Sequence, residues 1–207
     1  MNMRIGVLGF QGGVYEHVYM LKKSFHELGI NGKVLIVKKP QQLHDLDGII
    51  IPGGESTTIS ILARKTNVLE LLREKIVEGL PVMGVCAGAI MLAKEVVDQV
   101  VGETKQPLLG VMDIAVTRNY FGRQRESFEL DIVLDELDDK PFRAVFIRAP
   151  AITKYWGATK PIGIINYNGE KVVVAARENN KLALSFHPEL TSDTRIHRYF
   201  IEKIIKK

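Results

Sequence analysis

Hydrophobic positions in the first half of the chain alternate between short continuous runs and a helical repeat. Residues 4–10, 33–37 and 48–51 are apolar runs of strand length. Between the first two runs, five apolar side chains recur at helical spacing: Val14, Val18, Leu21, Phe25 and Leu28. Continuous apolar strands that alternate with amphipathic helices are typical of a parallel sheet covered on both faces.

The pattern changes beyond the middle of the chain. Helical periodicity continues to about residue 78, a fourth apolar run covers 81–85, and a helix is predicted over 87–95. After about residue 106, apolar segments follow one another with few helices between them: 108–117, 128–134, 142–147, 162–166, 171–177 and 182–186. We interpret most of these as antiparallel additions to the central sheet, and residues 194–207 as a closing helix that packs through Ile196, Phe200 and Ile204. The predicted fold is an α/β three-layer sandwich with a mostly parallel central sheet.

Composition narrows the class of protein further. The chain has 207 residues, 46% of them hydrophobic and 25% charged, which predicts a single globular domain over 1–207. The net charge of +4 is mild, and we expect no nucleic-acid or membrane partner. The single cysteine cannot form an internal disulfide, and no signal-peptide pattern precedes the first strand. We therefore expect the chain to work in the cytoplasm.

That cysteine, Cys86, follows the fourth apolar run in the segment 84–88 (GVCAG). A sharp turn between a strand and a helix lifts a side chain clear of the backbone, and flanking glycines leave room around it. Isolated cysteines in cytosolic proteins are more often small buried hydrophobes. The glycines on both sides favour a nucleophile instead.

A histidine and a carboxylate follow the last predicted strand. His187 and Glu189 stand two residues apart with Pro188 between them, which restricts the backbone of the pair. The three side chains could act as nucleophile, base and orienting group. The other four histidines have no partner motif, and we expect them to be structural or on the surface: His17, His26, His44 and His197.

Turn residues also follow two other predicted strands. Gln11 and Gly12 come after the first strand, and Gly53 and Gly54 after the third. In open α/β sheets, sites form beyond the carboxyl ends of the strands. One crevice can therefore contain both turns together with the cysteine and the histidine. The glycine-rich turns could equally be plain tight turns.

Five motifs in this order resemble one family: 52–58 (PGGESTT), 84–88 (GVCAG), 118–124 (RNYFGRQ), 147–150 (IRAP) and 187–191 (HPELT). Together they closely resemble the PdxT or SNO family of class I glutamine amidotransferases, the glutaminase subunits of pyridoxal 5'-phosphate synthase. The resemblance runs from the first strand to the last helix. It implies a class I glutamine amidotransferase domain, related to flavodoxin-like folds, that has no cofactor and no metal.

The resemblance also implies an activity and its residues. L-glutamine would be hydrolysed to L-glutamate and ammonia, and the ammonia would pass to a PdxS-type synthase subunit that makes pyridoxal 5'-phosphate, a form of vitamin B6. Cys86, His187 and Glu189 would form the catalytic triad. The glutamine site would be formed by six residues: Gly54, Glu55, Ser56, Arg118, Ile147 and Arg148.

Three alternatives stay open at this point. The chain could be the glutaminase subunit of a different amidotransferase, a stand-alone cysteine hydrolase of the related DJ-1-like fold, or a non-catalytic subunit. Ile90 stands where many other class I amidotransferases carry glutamine, which argues against the first alternative. The His-Pro-Glu segment argues against the second, and an intact triad argues against the third.

Overall fold

The first half of the chain alternates strands and helices, as the apolar pattern predicts. A computed structural model describes residues 2–99, 102–103, 105–122 and 127–206. The first elements are β1 (Met3–Leu8), α1 (Val14–Glu27), β2 (Gly32–Val37), β3 (Gly48–Ile51), α2 (Ser56–Lys65), α3 (Val68–Val77), β4 (Val82–Val85) and α4 (Ala87–Leu92). A short 3-10 helix, Pro40–Leu43, leads into β3.

The second half is dominated by strands. These are β5 (Ala93–Asp98), β6 (Gly102–Glu103), β7 (Met112–Arg118), β8 (Phe128–Leu134), β9 (Asp138–Phe146), β10 (Ala151–Tyr155), β11 (Lys160–Tyr167), β12 (Glu170–Glu178) and β13 (Lys181–Leu184). A 3-10 turn, Pro188–Leu190, leads to α5 (Arg195–Tyr199), which continues as a π-helical segment, Phe200–Ile205.

A mixed sheet forms the centre of the molecule. Among the described residues it contains 11 strands in the order β2-β1-β3-β4-β13-β12-β10-β7-β5-β6, with β11 paired to β12. The strands β2, β1, β3, β4 and β13 all run parallel, so their carboxyl ends lie at the same edge. Beyond β13, the sheet continues through antiparallel pairs of β12 with β13 and with β10. The mostly parallel sheet with antiparallel additions is confirmed.

Helices cover both faces of this sheet and bury a separate core on each. Successive side chains of a strand point to opposite faces. In β3, Ile50 packs with α1 and α5, whereas Ile49 and Ile51 pack with α2, α3 and α4. The predicted stripe of the last helix is also buried, and it joins the core under α1.

Several predicted elements differ from the structure. The helix predicted over 87–95 ends at Leu92, and the next residues form β5, which pairs in parallel with β7. Ala93, Lys94 and Glu95 favour helix in isolation, but pairing with β7 overrides that preference. The strand predicted from residue 108 begins at Met112, and β10 was not predicted.

The strands β8 and β9 were expected in the central sheet but form their own antiparallel pair. The final helix is shorter than the predicted 194–207 and changes to π-helical geometry at Phe200; Lys207 lies outside the described residues. Within the described parts of the chain, no helix has the length and apolar character that a bilayer crossing requires.

Candidate active site

Cys86 lies at a strained turn between β4 and α4. Its backbone has φ 49° and ψ −99°, a conformation that costs a non-glycine residue about 1–3 kcal/mol. Its N–H donates a 2.7 Å hydrogen bond to the carbonyl of Leu184 in β13, which ties the turn to the neighbouring strand. The predicted sharp turn between strand and helix, the elbow at Cys86, is therefore present. Its backbone strain makes it a candidate functional position.

The glycines that flank the cysteine allow α4 to approach the sheet. A Cβ on Gly88 would lie 2.1 Å from the carbonyl oxygen of Ile51 in β3, and a Cβ on Gly84 would lie 2.6 Å from the carbonyl oxygen of Gly88. Neither contact is possible for a real side chain. The GVCAG pattern thus reflects close packing of α4 on β3 and β4 as much as room for the thiol.

His187 follows β13 at the same edge of the sheet. Its Nδ1–H donates a 2.7 Å hydrogen bond to Oε1 of Glu189, because an ionised carboxylate can only accept. Nε2 is thereby left as the acceptor nitrogen of the neutral ring. Burial opposes protonation of the ring, but interactions with Cys86 and Glu189 outweigh it and raise the pKa of His187 to about 10. His187 and Cys86 line the same cleft, with the imidazole held from behind by Glu189.

Glu189 is buried in the 3-10 turn behind His187. Burial disfavours the charged carboxylate, but the proximity of His17 and the hydrogen bond from His187 lower its pKa to about 2. The carboxylate is thus ionised at neutral pH and able to hold the imidazole in one orientation. The sequence-based expectation that His187 and Glu189 share one side of the chain agrees with this contact.

The structure brings the predicted site residues together. A cleft of about 310 Å³ is lined by Gln11, Gly54, Glu55, Ser56, Cys86, Ile90, Arg118, Asn119, Ile147, Arg148 and His187. It contains every predicted site residue except Glu189, which lies behind His187. The volume is at the small end of the range for ligand sites.

Arg118 is held by several neighbours on the wall of the cleft. Its Nη2 donates a 3.2 Å bond to Oε1 of Glu55, and its Nη1 donates a 2.9 Å bond to Oε1 of Gln106. Glu55 also caps α2 by accepting from the backbone N–H groups of Thr57 and Thr58. Partial burial opposes ionisation of Glu55, but these hydrogen bonds and the charge of Arg118 lower its pKa. The wall of the cleft therefore presents the oriented guanidinium of Arg118 beside the carboxylate of Glu55.

Arg148 approaches the cleft from the end of β9. It is exposed, and its Nη2 donates a 3.3 Å bond to the side-chain carbonyl of Asn119. Cys86, Asn119 and Arg148 have positive φ angles of 49°, 55° and 45°. Backbone strain of this kind tends to cluster at functional sites. The last two residues of the motif 118–124, Arg123 and Gln124, lie outside the described residues.

Sequence reasoning missed two histidines near the site. His17 and His197 are fully buried and share a 3.0 Å hydrogen bond, and His17 Nε2 lies 3.5 Å from Oε2 of Glu189. The expectation that they are structural or on the surface agrees with their burial, but their contacts with each other and with Glu189 were not predicted. They come from α1 and α5, 180 residues apart, so only the fold could bring them together. Gln106 was also missed, because it lies in an irregular segment before β7.

Comparison with known proteins now decides the family. Residues 7–206 match the sequence model of the SNO glutamine amidotransferase family. The chain belongs to the SNO glutamine amidotransferase family. A relative from Aeropyrum pernix named pyridoxal 5'-phosphate synthase subunit PdxT is 59% identical over 205 residues, covering 99% of this chain and all of the relative. A PdxT from Saccharolobus islandicus is 54% identical over 202 residues, which are 98% of this chain and 99% of the relative.

A solved structure agrees with this assignment. A crystal structure of a glutamine amidotransferase superimposes with a TM-score of 0.82 at 43% identity, covering 98% of this chain and 99% of the other. The SNO-family chain is thus a glutamine amidotransferase with the fold of that enzyme. Among its described residues, no group of three or more His, Cys, Asp or Glu side chains is arranged to hold a metal ion.

Proposed function

We propose that this SNO-family chain is the glutaminase subunit of a pyridoxal 5'-phosphate synthase and that it hydrolyses L-glutamine through Cys86, His187 and Glu189. The observation that supports the proposal is the cleft lined by both Cys86 and His187, with the imidazole hydrogen-bonded to a buried carboxylate at 2.7 Å. A nucleophile, a base and an orienting group in contact are the minimum set for acyl transfer.

The reaction divides into two acyl transfers. His187 takes the proton of the thiol, and the resulting thiolate of Cys86 attacks the side-chain amide carbon of glutamine. His187 then gives the proton to the departing nitrogen, so that ammonia leaves and a thioester remains. In the second half, His187 takes a proton from water, which attacks the thioester, and returns it to the sulfur as glutamate departs. Atoms and charge balance across both halves.

Recognition of free glutamine needs groups for both of its main-chain charges. Glu55 is suited to the α-ammonium group, and Arg118 and Arg148 are suited to the α-carboxylate. Gly54, Ser56 and Ile147 complete the wall that would hold the side chain. The cleft thus contains charged groups and the thiol together, as a substrate with a charged end and a reactive amide requires.

Negative charge that develops on the amide oxygen needs hydrogen-bond donors. The backbone N–H of Ala87, directly after the nucleophile, is one candidate, and a glycine-rich turn at the cleft would supply the second. We propose that docking of a PdxS-type synthase subunit near residues 11–13 completes this oxyanion site. The relatives' name as synthase subunits supports a partner that receives the ammonia. A cytoplasmic location belongs to the same proposal.

The decisive experiment is an assay of ammonia release from glutamine by the full-length chain, with and without a PdxS-type subunit. We expect slow hydrolysis alone and a much larger kcat with the partner, at little change in KM. His187→Asn should remove nearly all turnover in both conditions. Stimulation by the synthase of another amidotransferase, but not by PdxS, would assign the chain to a different pathway. Absence of turnover in every combination would refute the glutaminase proposal.

A further inference from the structure

Two fully buried imidazoles lie behind the proposed triad and take no part in the mechanism above. Nε2 of His197 lies 3.0 Å from Nδ1 of His17, and Nε2 of His17 lies 3.5 Å from Oε2 of Glu189. Oε1 of the same carboxylate accepts from His187. The four side chains thus form one continuous row from α5, through α1, to the proposed base. It passes through the interior of the protein.

Both rings behave as neutral imidazoles. Burial lowers the pKa of His17, against the attraction of Glu189, and burial together with His17 lowers the pKa of His197 to about 3. A neutral imidazole has one donor nitrogen and one acceptor nitrogen. The contact between the two rings therefore requires one to donate and the other to accept.

Only one arrangement of protons suits the carboxylate. If His17 donated from Nδ1, the lone pair on its Nε2 would face the negative oxygen of Glu189. If His197 instead donates from Nε2 to Nδ1 of His17, the proton of His17 is on Nε2 and points at Oε2. Neither of these two facing atoms has another hydrogen-bond partner among the described residues. The 3.5 Å separation is long, but such contacts often tighten when substrate binds.

We propose that His17 is a positioning residue, whose Nε2–H fixes the second oxygen of Glu189, and that His197 selects the tautomer which makes this possible. The inference rests on the proposed function. A carboxylate held at both oxygens cannot rotate, so Oε1 stays in line with Nδ1 of His187. Loss of His17 would leave the carboxylate buried, held at one oxygen, and free to turn away from the base.

Among the described residues, four ionisable groups act on His17 and would contribute to any change of its protonation with pH. They are Glu16 on α1, His197 on α5, Glu189 in the 3-10 turn and His187 after β13. Because the Nε2–H of a neutral His17 favours the ionised carboxylate by donating a hydrogen bond to it, removal of His17 should raise the pKa of Glu189. The acid limb of kcat/KM should therefore move to higher pH. A substitution that only loosened packing would not move it.

The kinetic test compares four full-length chains in the glutaminase assay: wild type, His17→Leu, His17→Gln and His26→Leu. His17→Leu should lower kcat by about ten- to a hundredfold with KM unchanged, as expected for a lost hydrogen bond to a buried charge. His17→Gln keeps an N–H donor and should recover most of the loss. His26 is exposed on the same helix, so His26→Leu should match wild type. Equal kcat in His17→Leu and wild type, or equal loss in the Leu and Gln variants, overturns the proposal.

A spectroscopic test uses the wild-type protein, so its result does not depend on whether a variant folds. In wild-type chain with ¹⁵N-labelled histidine, we expect Nε2 of His17 to carry its proton and Nδ1 to be the acceptor. The opposite tautomer overturns the proposal. An active wild type with the wrong tautomer would reject this inference alone, whereas a wild type without glutaminase activity would reject the proposed function first.

Discussion

The backbone N–H of Glu55 donates a 2.7 Å hydrogen bond to the side-chain carbonyl of Gln11. A second bond, from the N–H of Gly13 to the carbonyl of Gly53, joins the same two turns at 3.1 Å. The turn after β1 and the turn after β3 are therefore joined by two hydrogen bonds. We expect a partner that displaces the first turn to displace Glu55 with it.

We predict that Gly12→Ala damages both stability and substrate binding. Gly12 has φ 96°, and an added Cβ would lie 1.7 Å from the carbonyl oxygen of Gly53, so the joined turns would have to separate. Gly29→Ala is the matched control, because Gly29 has φ 62° but open space around it. We expect about 1 kcal/mol of destabilisation at Gly29 and at least about 2 kcal/mol at Gly12. Urea unfolding and KM for glutamine measure the two effects; equal costs at both positions would contradict this account.

Two substitutions of Cys86 distinguish the catalytic role of the thiol from the backbone strain at the same position. Cys86→Ala and Cys86→Gly should both abolish glutamine hydrolysis, because neither has a nucleophile. Glycine adopts a φ of 49° without the penalty that alanine incurs, so the glycine variant should be the more stable by about 1 kcal/mol. Ammonia release and thermal unfolding test the two statements. Residual turnover in either variant would remove Cys86 from the mechanism.

The two arginines of the cleft should respond differently to removal. Arg148→Ala should raise KM for glutamine with little change in kcat, because Arg148 is exposed and its side chain bonds to Asn119 in the lining of the cleft. Arg118→Ala should raise KM and also lower stability, since Arg118 holds Glu55 and Gln106. Arg143→Ala removes an exposed ion pair with Asp131 away from the cleft and serves as the control. Unchanged KM in Arg148→Ala would exclude it from substrate binding.

Because two imidazoles are buried, we predict that the free energy of unfolding falls with decreasing pH already above the range in which carboxylates titrate. His17 and His197 have folded-state pKa values below the ordinary 6.5. The unfolded chain therefore binds more protons than the folded chain below about pH 6.5, and stability falls as the pH is lowered. His197, with a folded-state pKa of about 3, contributes about 1.4 kcal/mol per pH unit.

Other ionisable site residues act in different pH windows. Glu189 has a pKa of about 2, so the stability that its ionised form contributes is lost only below about pH 4.5. His187, with a pKa of about 10, contributes stability that is full below about pH 6.5 and is lost as the pH rises toward 10. Urea unfolding between about pH 6 and pH 5 isolates the histidine pair. We expect a shallower slope in His197→Gln than in wild type; a flat wild-type profile would disprove the assignment.

The sequence was most informative where function is encoded locally. The elbow at Cys86 and the pair His187 and Glu189 are each defined within a few residues of a strand end. The parallel order of the strands then brings them to one edge of the sheet. That residues 1–207 form one domain stays a prediction.

Features that depend on distant pairing could not be predicted in the same way. Residues 93–95 favour helix by composition, and only the neighbouring strand β7 makes them extended. The strands β8 and β9 look like sheet members but pair with each other, because register depends on three-dimensional partners. His17 and His197 each occupy a helix face that could be core or surface. Nothing near either of them in sequence identifies the other.

The lone thiol in the cleft also offers a way to count working molecules. Because the chain has one cysteine, an alkylating reagent shaped like glutamine has one thiol to modify. Mass spectrometry then gives the fraction of chains in a preparation whose thiol has reacted. Protection by added glutamine reports equilibrium affinity without any turnover. The single thiol therefore allows the active molecules in a preparation to be counted by labelling.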